Sequence, residues 1–196
     1  MNILHVISSP KKKASTSFQL SDAIVKQLLE KHPDGKVEEL IPAGFPHASQ
    51  EFIAAYDLPK DQQTARQNEV LIHSDKAIEQ LHRADIIVIG LPLYNFGIPS
   101  SLKAWIDQIV RPGIAFTYSE EGIVGLIKNK KAYLALSSGG VYSDGLSHFS
   151  EYALNHLKTV LEFIGITDVS TYRAEGLAYP SLMDTALTKA ISSIEI

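Results

Sequence analysis

Residues 86–99, IIVIGLPLYNFGIP, decide the fold of this chain. They begin with four β-branched residues in a row, and a run that is apolar at every position is typical of a strand buried on both faces of a parallel sheet. The run stops at Gly90 and Pro92, and an apolar, aromatic segment at 93–99 separates it from a helix-like stretch that begins at Ser100. Ligands of open α/β sheets bind outside the carboxyl ends of the strands. The segment 93–99 is therefore a candidate shelf for a flat ring.

Strand-like and helix-like segments alternate along the rest of the chain. The other predicted sheet strands cover residues 3–7, 36–41, 131–136 and 168–173, with amphipathic helical patterns between them. This alternation predicts a doubly wound α/β fold, in which helices cover both faces of a five-stranded parallel sheet in three α/β/α layers. Right-handed crossovers and a central first strand predict the order 2-1-3-4-5. Because no repeat or linker interrupts the chain, residues 1–196 are expected to form a single domain.

Local patterns predict where several elements begin and end. Thr16 and Gln19 have the spacing of a capping box, which places the start of the first helix at Thr16. Residues 119–122 are typical of a hairpin turn. Gly165 is the expected C-terminal cap of a long helix. The apolar stripe of that helix comprises Leu146, Phe149, Ala153, Leu157, Val160, Leu161 and Ile164.

The region 42–64 is the least regular part of the sequence. Prolines and glycine interrupt it repeatedly, and it is too long for an ordinary connection between a strand and a helix. We therefore expect an excursion from the fold, with a short helix at 49–56. This excursion is predicted either to pack over a site or to meet a partner chain.

The composition excludes several functional classes. The chain has 196 residues, of which 45% are apolar and 20% charged, with a net charge of −4 and no cysteine. Disulfides, thiolate metal sites and cysteine nucleophiles are therefore excluded, and no basic surface is available for nucleic acid. No apolar run is long enough to span a membrane. The sequence enters a strand directly after its first residues, so the cytoplasm is the expected location.

The histidines do not indicate a metal centre. None of the seven has the H-x-x-x-H spacing typical of metal ligands, so no metal site is expected. His5 alternates within a strand and is expected to be a structural residue. His148 and His156 are expected on a surface helix.

Three loops are predicted to meet at the carboxyl edge of the sheet. The first has hydroxyls at a helix N-terminus, which suits an anion, although helix capping alone explains the same residues. The second, 93–96, suits a ligand shelf, a core or a dimer contact. The third, 137–140, carries two glycines whose amides either approach a ligand or form a tight turn without one.

Taken together, the three loops offer a phosphate pocket, an apolar shelf and a polar edge, which are the three parts that flavin mononucleotide (FMN) requires. A nucleoside triphosphate is disfavoured because the first loop has no glycine-rich cradle followed by Lys-Ser or Lys-Thr. A serine hydrolase is disfavoured because residues 137–140 lack the G-x-S-x-G elbow. FMN is therefore the predicted ligand.

Several blocks of the sequence resemble one known family. They are SSPKKKASTSFQLSD (8–22), VIGLPLYNFGIPSSLKAWID (88–107), GIAFTYSEEGIVGL (113–126), SSGG (137–140), FIGITDV (163–169) and AEGLAY (174–179). The core P-[ML]-Y-N-F, followed by a helix and in register with the other blocks, is specific. Over nearly its whole length the chain resembles the FMN-dependent NADH-azoreductases, which are flavodoxin-like NAD(P)H:quinone oxidoreductases.

The resemblance implies a flavodoxin-like fold, one FMN per subunit, NADH as electron donor and a homodimer with each active site near the interface. The residues it implies for FMN are Ser9, Ser15, Thr16 and Ser17 at the phosphate, Leu93, Tyr94, Asn95 and Phe96 along the isoalloxazine ring, with the Asn95 amide near N5, and Ser137, Ser138, Gly139 and Gly140 at the pyrimidine end. Phe116 and Tyr118, like the region 42–64, are expected to cover a substrate pocket. Ser138 stands where the family often has arginine, which leaves nicotinamide preference and substrate range open.

The implied activity is the transfer of a hydride from NAD(P)H to FMN, followed by two-electron reduction of a quinone or an aromatic azo compound in a ping-pong reaction. No side-chain nucleophile is needed. Tyr142 is a candidate proton donor, although a solvated loop tyrosine is the favoured explanation. The alternatives are an electron carrier like flavodoxin and a flavodoxin-like protein without cofactor. The nearly neutral charge and the region 42–64 favour the enzyme over the carrier.

Overall fold

The computed structural model describes residues 1–144 and 149–196. The strands are β1 (Asn2–Ile7), β2 (Lys36–Leu40), β3 (Ile86–Pro92), β4 (Phe116–Ser119), β5 (Gly122–Gly125), β6 (Lys131–Ser137) and β7 (Asp168–Ala174). The α-helices are α1 (Thr16–Lys31), α2 (Gln50–Tyr56), α3 (Ala65–Arg83), α4 (Ser100–Ile109), α5 (Ala153–Ile164) and α6 (Met183–Ser192). None of these helices combines the length and the apolar character needed to cross a membrane.

The main sheet is parallel and has the strand order β2-β1-β3-β6-β7. If only its own strands are counted, this is the predicted order 2-1-3-4-5, which is confirmed. β3 lies in the middle, and residues Ile87–Leu91 of this strand are buried. β4 and β5 form a separate antiparallel hairpin, as the turn at 119–122 predicted.

Two apolar cores lie on opposite faces of the sheet. One is built mainly from α3, α4 and α5 against β3 and β6, with Leu81, Trp105 and Leu157 among its buried residues. The other is built from α1 and α6 against the opposite face, with Ile24 and Ala190 among its members. The result is the three-layer α/β/α arrangement of a flavodoxin-like fold.

Helix α1 packs unusually close to the sheet at Gly90. A Cβ atom at this position would lie 2.6 Å from Ser21 Oγ and 2.9 Å from the Ser17 carbonyl oxygen. The Ser8 hydroxyl and amide both donate to the Gly90 carbonyl, at 2.8 and 3.1 Å. The absence of a side chain at Gly90 therefore lets the start of α1 and the ends of β1 and β3 come together.

Two helix starts differ from the predictions. The cap of α1 is Ser15, not Thr16, because Ser15 has an extended backbone and its Oγ accepts the Phe18 amide at 3.2 Å. Helix α5 begins at Ala153 rather than near 146, and Phe149, which the predicted stripe included, is 78% exposed. The predictions for Leu146 and His148 lie outside the described residues.

The region 42–64 contains the predicted short helix. α2 packs against α3 through Phe52, Ala55 and Leu71, which form a small buried cluster of their own. The Gln63 side-chain amide donates to the Ala55 and Leu58 carbonyls and so holds the following turn against α2. Within this chain the excursion therefore packs on α3, and its contact with a partner chain stays a prediction.

Candidate functional site

The loops that follow β1, β3 and β6 surround one cavity of about 260 Å³ at the carboxyl edge of the sheet. It is lined by Ser9, Lys11, Ala14, Ser15, Thr16, Pro92, Leu93, Tyr94, Ser137, Ser138, Gly139 and Leu177. Eight of the residues predicted to bind a ligand are in this list. The three loops thus meet as the sequence predicted.

The first loop ends in unpaired amides at the N-terminus of α1. The Ser15 amide donates to the Lys12 carbonyl and the Phe18 amide to Ser15 Oγ. Within the described ranges, the amides of Thr16 and Ser17 have no acceptor. Ser17 Oγ is buried, 3.2 Å from Ser15 Oγ, so Ser17 offers its amide rather than its hydroxyl. Free amides at a helix N-terminus form a site for an anion.

The second loop is a tight turn over residues 94–97. The amides and carbonyls of Tyr94 and Gly97 exchange two hydrogen bonds, at 3.1 and 3.0 Å. Asn95 and Phe96, between them, have φ of 49° and 68°, which is the pattern of a type I′ turn. Positive φ is rare for an aromatic residue, and such backbone strain is concentrated at functional sites.

The turn presents its aromatic side chains to solvent. Tyr94 is 40% exposed and Phe96 52% exposed. Two further backbone hydrogen bonds hold the turn in place: the Leu93 amide, just before it, donates to the Ser137 carbonyl at 2.8 Å, and the Tyr152 amide donates to the Phe96 carbonyl at 3.0 Å. The loop is therefore a fixed apolar shelf beside the cavity rather than part of the core.

The third loop, 138–140, pairs with the segment that follows β7. The amides of Leu177, Ala178 and Gly176 donate to the carbonyls of residues 138, 139 and 140, respectively, at 3.0–3.1 Å. Within the part of the chain that the structure describes, the amides of Gly139 and Gly140 have no acceptor. The segment 175–178 was not among the predicted site residues, because only the parallel pairing of β6 with β7 brings it to the site.

Gly140 lies against the side chain of Tyr142. A Cβ atom at Gly140 would lie 2.9 Å from Tyr142 Cε2 and 3.3 Å from its hydroxyl oxygen. The candidate proton donor is therefore at the border of the site. Ser138, which stands where the resembled family often has arginine, is buried and donates its hydroxyl to the Gly140 carbonyl at 2.9 Å.

Two predicted pocket residues are not brought to this cavity. Phe116 is buried in the core, where its ring centroid lies 4.5 Å from that of Phe163. Tyr118 is 72% exposed on the β4–β5 hairpin. Neither residue is among those that line the cavity in the described chain, so the structure of one subunit does not place them with the other predicted site residues.

A wider depression of about 630 Å³ adjoins the cavity and shares Tyr94 with it. Asn95, Ser100 and the partly buried His156 are among its lining residues. His156 Nε2 is buried and, among the described residues, has no hydrogen-bond partner. His156 is thus less exposed than predicted. Other depressions of about 540 and 530 Å³ lie elsewhere, at residues such as Val37 and Arg111, away from the three loops.

The charges near the first loop come from lysine rather than histidine. Lys11 lines the cavity. His5 lies beneath α1 with Nε2 2.7 Å from Ser21 Oγ, and burial lowers its pKa to about 4. The imidazole is therefore neutral at pH 7, and the structural role predicted for His5 is confirmed.

Comparison with known proteins agrees with this geometry. A family profile described as the flavodoxin-like fold matches residues 1–195. The chain is 36% identical over 198 residues to the FMN-dependent NADH:quinone oxidoreductase of Mesorhizobium japonicum, covering 100% of this chain and 94% of that protein. It is 41% identical over 180 residues to the protein of the same name from Dechloromonas aromatica, covering 91% and 89%. The chain belongs to the flavodoxin-like family of FMN-dependent NADH:quinone oxidoreductases.

A solved structure supports this family membership. The FMN-dependent NADH-azoreductase from Bacillus anthracis, crystallised in complex with FMN, superposes with a TM-score of 0.85 and 26% identity over 98% of this chain and 96% of that one. The family and the fold predicted from the sequence motifs are therefore confirmed.

Proposed function

We propose that this protein is an FMN-dependent oxidoreductase that uses NADH or NADPH to reduce quinones by two electrons and also reduces aromatic azo compounds. One observation carries the proposal: unpaired amides of Thr16, Ser17, Gly139 and Gly140 converge at one sheet edge, on either side of an exposed aromatic turn. The names of the relatives favour an oxidoreductase over an electron carrier.

The first loop fits the phosphate of FMN. Its free amides at Thr16 and Ser17, the hydroxyl of Ser9 and the Lys11 side chain supply donors and positive charge at a helix N-terminus, whereas the Ser15 hydroxyl already donates to the Lys12 carbonyl. Donors of this kind favour an anion through both hydrogen bonds and the helix dipole. We assign the phosphate to this loop.

The second and third loops fit the ring. Leu93, Tyr94, Asn95 and Phe96 provide an apolar surface with fixed backbone, and Ser137, Ser138, Gly139 and Gly140 provide the polar edge. A small side chain is required at Gly140 because the Tyr142 ring already occupies the space beside it. The polar edge therefore approaches the ligand through backbone rather than side chains.

Bound FMN supplies the exchange of electrons between the nicotinamide and the acceptor. The chain supplies orientation and electrostatics. With FMN bound, amides at Gly139 and Gly140 would stabilise negative charge at the ring edge without a cost of reorganisation, because the pairing with residues 176–178 already holds the loop. The exposed side of the turn leaves room for a donor and then an acceptor, which predicts ping-pong kinetics.

We also propose that the protein is a cytoplasmic homodimer in which residues 1–196 form one domain. The support is the family, together with the exposed Tyr118 and the excursion at 42–64, which a partner subunit would cover. Sedimentation equilibrium tests the dimer, and a single cooperative unfolding transition tests the single domain.

The phosphate assignment is tested by removing one amide. Thr16 is the first residue of α1, where proline is tolerated, and the extended Ser15 before it is compatible with a following proline. Thr16→Pro therefore deletes one donor and leaves the helix intact, while Thr16→Ala keeps the amide as a matched control. A charge-assisted hydrogen bond is worth about 1.5–3 kcal/mol, so Thr16→Pro should weaken FMN binding roughly 10- to 100-fold.

FMN fluorescence quenching during titration of the apoprotein measures this affinity, and oxidation of NADH with menadione measures turnover. The proposal requires that the unaltered protein bind FMN and oxidise NADH rapidly with menadione. Failure of the unaltered protein to bind FMN would refute the proposed function. FMN binding with equal affinity by both Thr16 variants would refute the assigned phosphate site.

A further inference from the structure

Three charged residues form a buried bridge beside the third loop. The Arg173 guanidinium donates through Nη1 to Glu175 Oε1 at 3.2 Å and through Nη2 to Glu151 Oε2 at 3.0 Å. Glu151 and Glu175 are both almost fully buried, and Arg173 is mostly buried. We call Glu151, Arg173 and Glu175 the Arg173 bridge. Buried charges of this kind are stable only when each has its partners.

Glu175 of the Arg173 bridge fixes the backbone that continues from the third loop. Glu175 Oε1 accepts the Tyr142 amide at 3.0 Å, and Oε2 accepts the Ser143 amide at 3.2 Å. Hydrogen bonds to an ionised carboxylate are short and strong. The Tyr142 ring that these bonds locate lies directly against Gly140. The direction of the Gly140 amide is therefore coupled to the position of Glu175.

Glu151, the other carboxylate of the Arg173 bridge, fixes the start of α5. Glu151 Oε1 accepts the Leu154 amide at 2.7 Å, within the first turn of that helix. Arg173 itself lies one residue before the end of β7, where it pairs in register with Leu136 of β6. A single side chain on the sheet thus holds both the loop that leaves β6 and the helix that follows it.

We propose that Arg173 is a positioning residue for the flavin site: through Glu175 it holds residues 139–143 in the binding conformation before the cofactor arrives. This inference rests on the proposed function. Arginine is required because its planar fork reaches two carboxylates at once, whereas lysine presents a single point charge. Loss of Arg173 leaves two buried carboxylates without their shared cation, and Glu175 then withdraws from the Tyr142 and Ser143 amides.

The chain provides a matched control for general destabilisation. Arg111 is also a buried arginine paired with a carboxylate, because its Nη1 donates to Asp75 Oδ1 at 2.6 Å and to Ser74 Oγ at 2.9 Å, although Asp75 itself is half exposed. It follows α4 and does not line the cavity between the three loops. Arg111→Met should also lower the melting temperature, but without affecting the flavin site.

The experiment compares the unaltered apoprotein with Arg173→Met, Arg173→Lys, Glu175→Gln and Arg111→Met. The measurements are the melting temperature, the FMN dissociation constant from fluorescence quenching, and the visible circular dichroism of bound FMN, which reports how the ring is held. For Arg173→Met and Glu175→Gln we expect FMN binding at least tenfold weaker and an altered dichroism spectrum. The FMN dissociation constant of Arg173→Lys should lie between those of the unaltered protein and Arg173→Met. The FMN dissociation constant of Arg111→Met should stay within twofold of that of the unaltered protein.

Two results would overturn the inference while leaving the proposed function intact. One is FMN affinity within twofold of the unaltered protein for both Arg173→Met and Glu175→Gln. The other is a loss of affinity that follows the melting temperature equally in all variants, Arg111→Met included. If Arg173→Met does not fold, the nearly isosteric Glu175→Gln decides alone. Failure of the unaltered protein to bind FMN would instead refute the proposed function itself.

Discussion

Acid should destabilise this protein through His5, a buried residue that does not line the proposed site. His5 is 1% exposed, its Nε2 lies 2.7 Å from Ser21 Oγ, and its ring stacks on Phe18 with centroids 5.6 Å apart. Ser21 Oγ already donates to the Phe18 carbonyl at 3.0 Å, so it accepts from Nε2–H. In the neutral imidazole the proton is therefore on Nε2.

Burial lowers the pKa of His5 from 6.5 to about 4, although the carboxylates of Asp22 and Glu39 raise it in part. The unfolded chain consequently takes up a proton near pH 6.5 that the native chain takes up only near pH 4. In that window the unfolded state binds more protons, so the free energy of unfolding falls as the pH falls. The full contribution is about 3 kcal/mol, of which about 2 kcal/mol is lost between about pH 7 and pH 5.

The assay is urea unfolding of the apoprotein at several pH values from 7.5 to about 4.5, with His5→Gln as the comparison. Glutamine keeps a donor for Ser21 but has no proton to gain. From about pH 7 to about pH 5, the free energy of unfolding of the unaltered protein should fall by about 2 kcal/mol more than that of His5→Gln. A pH dependence that is the same for both proteins would show that His5 is not the group responsible.

Three further substitutions test the packing and the turn. Gly90→Ala places a Cβ 2.6 Å from Ser21 Oγ, and we expect it to lower the free energy of unfolding by about 1–3 kcal/mol; an unchanged urea midpoint would contradict the close approach. Phe96→Asn relieves a positive φ that asparagine tolerates, so the apoprotein should gain about 1 kcal/mol while NADH oxidation with menadione slows; a loss of stability would contradict the strain. Gly140→Ala sets a Cβ against the Tyr142 ring and should weaken FMN binding about tenfold, about 1.4 kcal/mol, as measured by fluorescence quenching; recovery in Gly140→Ala/Tyr142→Ala is expected, and no loss in the single variant would contradict the contact.

The sequence predicted the sheet well because its signals are local. The β-branched run at 86–89 defines a central strand, and the alternation of elements then restricts the topology to a few possibilities. The same topology necessarily brings the ends of β1, β3 and β6 to one edge. For this reason the three loops of the site could be predicted before any contact was known.

The errors have physical causes. The helical period of α5 extends to Phe149, but periodicity does not show that this side chain faces solvent. Ser15 and Thr16 are both good cap residues, and only the backbone conformation of Ser15 decides between them. The expectation that Phe116 and Tyr118 cover a substrate pocket stays a prediction, because it concerns a pocket near the interface between two subunits.

The Arg173 bridge could not be predicted from the sequence because its residues are far apart along the chain. Glu151 lies 22 residues before Arg173, and the two meet only because β6 and β7 are paired in parallel register. Charged residues at such spacing carry no motif. The turn at 94–97 was equally hidden, since its two central residues are not the Asn-Gly pair that usually marks a type I′ turn.

The absence of a side chain at Gly90 also determines the distance between the start of α1 and the aromatic turn after β3. Through it, α1 rests on β3, so the amides that open the helix and the aromatic turn that follows the strand are held at one fixed separation. A site with two contact points at a fixed separation selects ligands by their length. If FMN binds as proposed, a flavin without the phosphate would reach only one end, and a longer dinucleotide would project beyond the other.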